Sequence, residues 1–135
     1  MKQIHLILQS KGGVGKSLLA ALMGLKRMGS ETTAFVDLDS STQSSMRQLA
    51  FLGSQRLENV SLLNQKQVLV RDNLIAYLES LADAPFEEFF FDFGAPESEQ
   101  FPALVGQDLP FDEFLGMLGM LAHYHVVIGG GSAYI

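Results

Sequence analysis

Near the N-terminus, Lys2–Gln9, KQIHLILQ, is followed by Ser10–Ser17, SKGGVGKS, and by an apolar run from Leu18 to Met28. Apolar residues alternate along the first segment, and one further apolar residue lies on the other face, which is typical of a mostly buried strand. The second segment is rich in glycine. The sequence therefore predicts a strand, a tight loop and a helix in immediate succession.

This order is the one that a phosphate-binding loop requires. Glycines let the backbone N–H groups point into one concavity, and the start of the next helix adds further N–H groups and its dipole. Lys16 would place its ammonium between the β- and γ-phosphates, and Ser17 would offer its hydroxyl to Mg²⁺. The predicted nucleotide-binding residues are Lys11, Gly12, Gly13, Val14, Gly15, Lys16, Ser17 and Leu18.

The loop departs from the usual pattern G-x-x-x-x-G-K-[ST] at its first position, which is Ser10. It has instead the deviant form K-G-G-x-G-K-[ST], with a second lysine, Lys11, at the start of the loop. A dinucleotide-binding loop is not expected, because its third glycine would fall on Leu18.

Composition indicates one globular domain, residues 1–135, with 47% hydrophobic residues and a net charge of −6. No apolar run is long enough for a membrane-spanning helix, and no signal peptide is expected. The chain has no cysteine, which excludes disulfides and thiolate chemistry and favours a cytoplasmic location. Only nine residues are Lys or Arg, so we expect no strong DNA-binding patch.

Apolar periodicity predicts an alternation of strands and helices along the rest of the chain. After the first strand, the predicted elements are helix 18–28, strand 32–37, helix 43–53, strand 59–63, helix 65–82, strand 86–93, helix 112–122 and strand 124–128. Such alternation predicts a parallel sheet wrapped by helices, with ligands at the carboxyl ends of the strands.

Acidic residues follow two of these strands. Asp39 and Asp92 lie where strand ends are predicted to share the edge that holds the phosphate loop. A carboxylate there can hold Mg²⁺ through its waters or orient a water at the γ-phosphate. Of the two acids after the second strand we favour Asp39, because it lies further beyond the strand end. Asp37 is the alternative. The predicted metal residues are thus Ser17, Asp39 and Asp92.

Other residues are expected to have structural roles. The three histidines, His5, His123 and His125, lack the spacing of a metal site, and Phe89–Phe91 is expected in the core. A helical stripe is expected to pack on the sheet: Phe114, Met117, Leu118 and Leu121. A set of acids is expected to form a solvated face: Glu97, Glu99, Asp108, Asp112 and Glu113.

Three motifs in order, residues 11–17 (KGGVGKS), 36–39 (VDLD) and 89–92 (FFFD), resemble those of the ParA/MinD group of deviant Walker ATPases. Within that group, the opening IHLILQSKGGVGKS and the closing VVIGGGSAYI are most similar to plasmid-borne members of the TraL and StbB kind, tied to conjugation or plasmid stability. The resemblance implies a three-layer α/β/α P-loop NTPase fold with a mostly parallel sheet. Members are usually longer, so we expect a domain cut short after about five strands.

The resemblance also implies roles. Lys16 would bind the β- and γ-phosphates, Asp39 would position the attacking water, and Asp92 would hold the magnesium shell. Lys11 would reach across a nucleotide-sandwich homodimer to the partner's phosphates. The strand of Asp92 would lie between the strand of the phosphate loop and that of Asp39.

The implied function is a Mg-ATP-dependent ATPase switch, in which ATP drives dimerisation and slow hydrolysis resets it, serving plasmid partition, stability or conjugative transfer. Catalysis would rest on Lys11, Lys16 and Asp39. Leu18 departs from the family, which has Thr or Ser there. Two alternatives stay open, a nucleotide-gated protein-binding module with negligible hydrolysis and a small-molecule kinase of the dethiobiotin-synthetase-like kind.

Overall fold

The computed structural model describes residues 1–9, 16–38, 56–108 and 110–127, which form an α/β fold. The elements in chain order are β1 (Lys2–Gln9), α1 (Lys16–Lys26), β2 (Thr33–Asp37), β3 (Leu57–Asn59), α2 (Arg71–Leu81), β4 (Glu88–Asp92), α3 (Ala95–Ala103), α4 (Phe111–Met117) and β5 (Met120–Val127). A π-helical turn, Leu104–Asp108, joins α3 to α4. The predicted loop 10–15, Asp39 and the predicted helix 43–53 lie outside the described residues.

The five strands form one parallel sheet in the order β3-β2-β4-β1-β5. The parallel sheet predicted from the alternation of elements is therefore confirmed. The strand that ends in Asp92 lies between β1 and β2, as the family resemblance implies.

Helices cover both faces of this sheet. On one face α2, α3 and α4 share one core with Ile4, Leu6 and Leu8, the alternate residues of β1. On the other, called here the α1 face, α1 packs over Ile7 and Phe90. Phe89, Phe90 and Phe91 are at most 1% exposed, which confirms that this run belongs to the core.

Helix α1 approaches the sheet through small residues. Ala20 and Gly24 are buried, whereas Leu22, Leu25 and Met28 are each more than half exposed. The helix packs against the rings of the sheet through Ala20 together with the partly buried Leu19 and Met23. It also ends at Lys26, before the predicted end at Met28.

The predicted helix 65–82 begins too early, because α2 starts only at Arg71. The Asn64 side chain accepts hydrogen bonds from the N–H groups of Lys66 and Val68, at 2.8 and 3.0 Å, and this holds the segment in a turn. Such a local bond competes with helix formation. Further upstream, β3 ends at Asn59, where the sequence predicted a strand to begin.

The predicted helix 112–122 is wrong at its end, since α4 stops at Met117 and β5 already begins at Met120. Gly119, with φ of +74°, terminates the helix in the left-handed conformation that glycine adopts without strain. Its carbonyl then accepts a hydrogen bond from the Lys2 N–H at 3.0 Å, which begins the pairing of β5 with β1.

Helix α3 was missed by the sequence analysis. Its first turn contains Pro96, a residue that the start of a helix accommodates, and its last turn contains Pro102. The predicted apolar stripe is also wrong in part. Phe111 and Leu115 form the buried face of α4, whereas Met117 is 85% exposed.

In the ranges that the structure describes, no helix has the length and the hydropathy needed to cross a membrane.

Candidate functional site

The candidate site lies where the carboxyl ends of β1, β4 and β2 adjoin. In the register of the sheet, Asp92 of β4 is opposite Ile7 of β1 on one side and Asp37 of β2 on the other. Helix α1 begins at Lys16, after six residues that connect it to the end of β1 at Gln9. The predicted phosphate loop therefore connects β1 to α1, and both elements adjoin the strand that ends in Asp92.

Asp37 and Asp92 are both buried, with 0% and 3% exposure. They alternate in phase with Phe35 and Phe90, so they belong to the α1 face of the sheet. The backbone holds their strands together, because the Leu38 N–H donates to the Asp92 carbonyl at 2.9 Å. Two adjacent carboxyl groups at this depth are stabilised either by a shared proton or by positive charge, which a lysine or a divalent cation can supply.

This geometry changes the ranking of the two acids that follow β2. Asp37 was the less favoured candidate, yet it is the direct neighbour of Asp92 across the sheet. The favoured residue, Asp39, lies outside the described residues, so its role stays a prediction. The alternation of side chains along β2 was the signal that could have identified Asp37.

A third buried acid lies on α3, which follows β4 directly. Glu97 is in the first turn of that helix and is fully buried, which contradicts its expected place on a solvated face. The partial positive charge of a helix N-terminus favours a carboxylate there. The Ser98 N–H, which donates to the Gly94 carbonyl at 2.9 Å, fixes this turn just beyond the end of β4. Of the other acids of that expected face, Glu99, Asp112 and Glu113 are exposed as expected, and the side chain of Asp108 lies outside what the structure describes.

Pro96 was the signal for Glu97 in the sequence. Proline is favoured in the first turn of a helix, so an acid next to it falls at the helix start and thus at the edge where β4 ends.

The structure describes three of the eight predicted nucleotide-binding residues. Lys11, Gly12, Gly13, Val14 and Gly15 lie outside the described residues. For Lys16, Ser17 and Leu18 the structure gives the backbone, which is helical at the start of α1. Within the described ranges, no group of three His, Asp or Glu side chains is arranged to hold a metal ion.

The donor set nevertheless fits Mg²⁺. This ion is held in proteins by one or two carboxylates together with waters and substrate phosphates, and Asp92 and Asp37 would supply the carboxylates.

A second cluster of polar side chains occupies the α1 face further from the strand ends. Its centre is Glu88, whose Oε1 accepts from Arg27 Nε at 2.7 Å and from Thr33 Oγ1 at 3.2 Å. Its Oε2 lies 2.8 Å from His5 Nε2. His5 Nδ1 in turn lies 3.0 Å from His125 Nε2.

These contacts indicate which ring nitrogens of His5 and His125 carry a proton. Because Glu88 is an acceptor, His5 carries its proton on Nε2, and its Nδ1 then accepts from the Nε2–H of His125. His5 also stacks on the Phe90 ring, with centroids 4.2 Å apart, and on His123, at 4.7 Å. The histidines are thus structural, as predicted, and the parallel register that sets His5 opposite His123 brings them together.

Burial and neighbouring charges act on this cluster in opposite directions. Burial lowers the pKa of His5 and outweighs the hydrogen bond and the charge of Glu88, which raise it. Burial and the charges of His123 and Arg27 also lower the pKa of His125. For Glu88, burial raises the pKa, but the bonds and charges of Arg27 and His5 together lower it below its usual value.

Comparison of the chain with protein-family models, with curated proteins and with solved structures finds no match.

Proposed function

We propose that this chain binds Mg-ATP and acts as an ATPase switch of the ParA/MinD type, which dimerises with ATP and is reset by slow hydrolysis. The cellular role that follows from the resemblance is plasmid partition, stability or conjugative transfer, with ATP, a second copy of the chain and a plasmid-encoded protein as partners.

The observation that carries the proposal is the convergence of three sequence features on one edge of the sheet. The deviant loop motif connects β1 to α1. The strand that ends in Asp92 lies next to β1, and the strand that ends in Asp37 lies next to the Asp92 strand. An open parallel sheet binds its ligands at this edge, where the direction of the connections changes. Burial of both acids at the carboxyl ends of β2 and β4 supports a site that combines anionic phosphates, a divalent cation and lysines.

Each residue would have a distinct part. Lys16 would neutralise charge that develops on the β- and γ-phosphates, and Lys11 would do so from the partner copy. Asp92 would hold the hydration shell of Mg²⁺, which also binds Ser17, and Asp39 would orient the attacking water. Bound Mg²⁺ supplies charge neutralisation on the phosphates. Asp37, buried beside Asp92, would supply a second carboxylate to that hydration shell.

The proposal is tested by phosphate release from ATP with the purified chain. We expect Asp39→Ala to lower the rate by roughly 10²-fold, because a positioned acid–base group contributes about that much. Lys16→Ala should abolish ATP binding in calorimetry. Asp83→Ala, which removes an exposed acid from the loop after α2, is the matched control and should change neither quantity.

Equal background rates for the wild type and Asp39→Ala would contradict hydrolysis. If ATP binding that depends on Lys16 then persisted, the nucleotide-gated binding module would be the better description. Transfer of the γ-phosphate to an acceptor other than water would favour the kinase.

A further inference from the structure

Strand β5 is the last strand on one side of the sheet. Within the described residues it pairs with β1 alone, and the register runs over all eight positions without a bulge. Edge strands are usually short, or they carry charged residues, proline or a bulge, which prevent pairing with another chain. The opposite edge follows this rule, because β3 has only three residues and one of them, Glu58, is an exposed acid. By contrast, β5 reads MLAHYHVV and contains no Lys, Arg, Asp, Glu or Pro.

The hydrogen bonds to β1 show which main-chain groups of β5 point outward. The Lys2 N–H donates to the Gly119 carbonyl at 3.0 Å, and Lys2 is aligned with Met120. In a parallel ladder this arrangement directs the N–H and C=O groups of the odd-numbered β5 residues toward β1. Those of the even-numbered residues point away from the sheet. These residues form the surface called here the β5 edge: Met120, Ala122, Tyr124 and Val126.

Apolar side chains border the β5 edge on both faces of the sheet. Leu121, in phase with His123 on the α1 face, is 47% exposed, and on the other face Tyr124 and Val126 are 45% and 57% exposed. Asp112 of α4 contacts this border and accepts a hydrogen bond from the Tyr124 hydroxyl at 2.7 Å. The whole chain has a net charge of −6, whereas β5 has no charge when its histidines are neutral. Two copies can therefore align this strand without placing like charges of the strand opposite each other.

We propose that the β5 edges of two copies of this chain pair antiparallel about a two-fold axis at His123. Met120 would then lie opposite Val126 of the second copy, and Ala122 opposite Tyr124 of the second copy. Antiparallel strands exchange two hydrogen bonds at alternate pairs of residues, so in this register every outward N–H meets a carbonyl. The small Ala122 side chain leaves room for the tyrosine ring beside it, and the two sheets become continuous.

This contact is separate from the ATP-dependent dimer of the proposed function. It needs neither nucleotide nor Lys11, so its failure would leave the proposed function untouched, and the converse also holds. A contact made by one pair of strands is small, and we expect a dissociation constant of roughly 100 µM. At about 5 µM, a suitable concentration for measuring the ATP-dependent dimer, the paired β5 edges would be largely dissociated.

Sedimentation equilibrium of the nucleotide-free chain, from about 5 to about 500 µM, tests the proposal. We expect the average mass to rise from that of the monomer, 14.8 kDa, toward twice that value. Val126→Pro removes an outward N–H that the pairing with β1 does not use, and it should weaken the association by about 10-fold or more. Val126→Thr keeps both the N–H and the β-branched shape, so it is the matched control and should associate like the wild type.

Single-cysteine variants test the register, because the chain has no cysteine of its own. His123 would face its own copy across the axis, with Cα atoms about 4.5 Å apart, which is within the range of a disulfide. His123→Cys should therefore form an intermolecular disulfide under mild oxidation. Leu121→Cys is the control on the same face, since its two copies would lie four positions apart, or roughly 14 Å, and should not cross-link.

The proposal is overturned if the chain stays monomeric at about 500 µM, if its mass passes that of a dimer, or if Val126→Pro and Val126→Thr associate equally. It is also overturned if His123→Cys does not cross-link or if Leu121→Cys cross-links as readily. If Val126→Pro does not fold, the comparison of the two cysteine variants decides.

Discussion

Replacing Glu88 with glutamine should move the ring proton of His5 from Nε2 to Nδ1 and destabilise the fold. In the wild type two donors, Arg27 and Thr33, point at Oε1, and one donor, His5, points at Oε2. In Glu88→Gln the first two donors retain the amide oxygen, so the amide N–H₂ must face His5. The His5 Nε2 then has to accept, its proton moves to Nδ1, and Nδ1 donates to His125.

The magnitude follows from the contacts that change. Hydrogen bonds to a charged group contribute about 1.5–3 kcal/mol, against about 0.5–1.5 kcal/mol for neutral pairs. The change weakens the bonds of Arg27 and His5, whereas the stacking of Arg27 over Phe90, at 4.5 Å, is retained. Glu88 is 22% exposed, so solvent screens part of the charge. We expect a loss of about 1–2 kcal/mol in the free energy of unfolding.

Urea unfolding at pH 7.5 measures this loss, and long-range ¹H–¹⁵N correlation spectra report the tautomer of His5. Glu87→Gln is the matched control, because the same change one residue earlier affects an exposed side chain. It should alter the stability by less than about 0.5 kcal/mol. Equal stability of the two variants, or a His5 that keeps its proton on Nε2 in Glu88→Gln, would contradict the assigned role of Glu88.

The stability difference between Glu88→Gln and the wild type should also depend on pH. The folded-state pKa of His5 and of His125 lies below the ordinary value of 6.5, so the unfolded chain binds more protons just below that pH. Their contribution to the free energy of unfolding is present above pH 6.5. It is lost as the pH falls from 6.5 through their lowered folded-state pKa values. Glu88 raises the pKa of His5. Its replacement should therefore lower that pKa further, and the stability difference from the wild type should grow between pH 7.5 and 5.5.

Three further predictions test the core, a turn and the proposed dimer. Leu74→Ala, at a fully buried position, should cost about 2–5 kcal/mol in urea unfolding, whereas Leu22→Ala, at a position 53% exposed, should cost less than about 1 kcal/mol; similar losses would contradict the assigned core. Gly119→Ala, at φ of +74°, should destabilise the fold by about 1 kcal/mol, whereas Gly116→Ala in α4 should stabilise it by about 0.5 kcal/mol, and a stabilising Gly119→Ala would refute the assigned turn. Lys11→Ala should retain ATP binding but lose ATP-dependent dimerisation in light scattering, and a persistent dimer would count against its proposed role across the dimer.

Short stretches of sequence were enough to predict three of the strands. The alternation along β1, the apolar run of β4 and the short β2 were all predicted within two residues, because period-two patterning and solid apolar runs directly reflect burial. The alternation of strands with helices was enough to predict a parallel sheet. The loop motif at residues 10–17 carries the nucleotide hypothesis for the same reason, since its chemistry depends on contiguous residues.

Contacts between distant strands and the burial of single side chains became known only from the tertiary structure. His5 and His125 lie 120 positions apart, and only the pairing of β1 with β5 brings their rings within hydrogen-bond distance. Pro96 marks Glu97 as a residue at a helix start, but only the direction of α3 buries it beyond the end of β4. Asp37 becomes a candidate through its alignment with Asp92. Pairing of distant strands and the direction of a helix are non-local, so no window of sequence contains them.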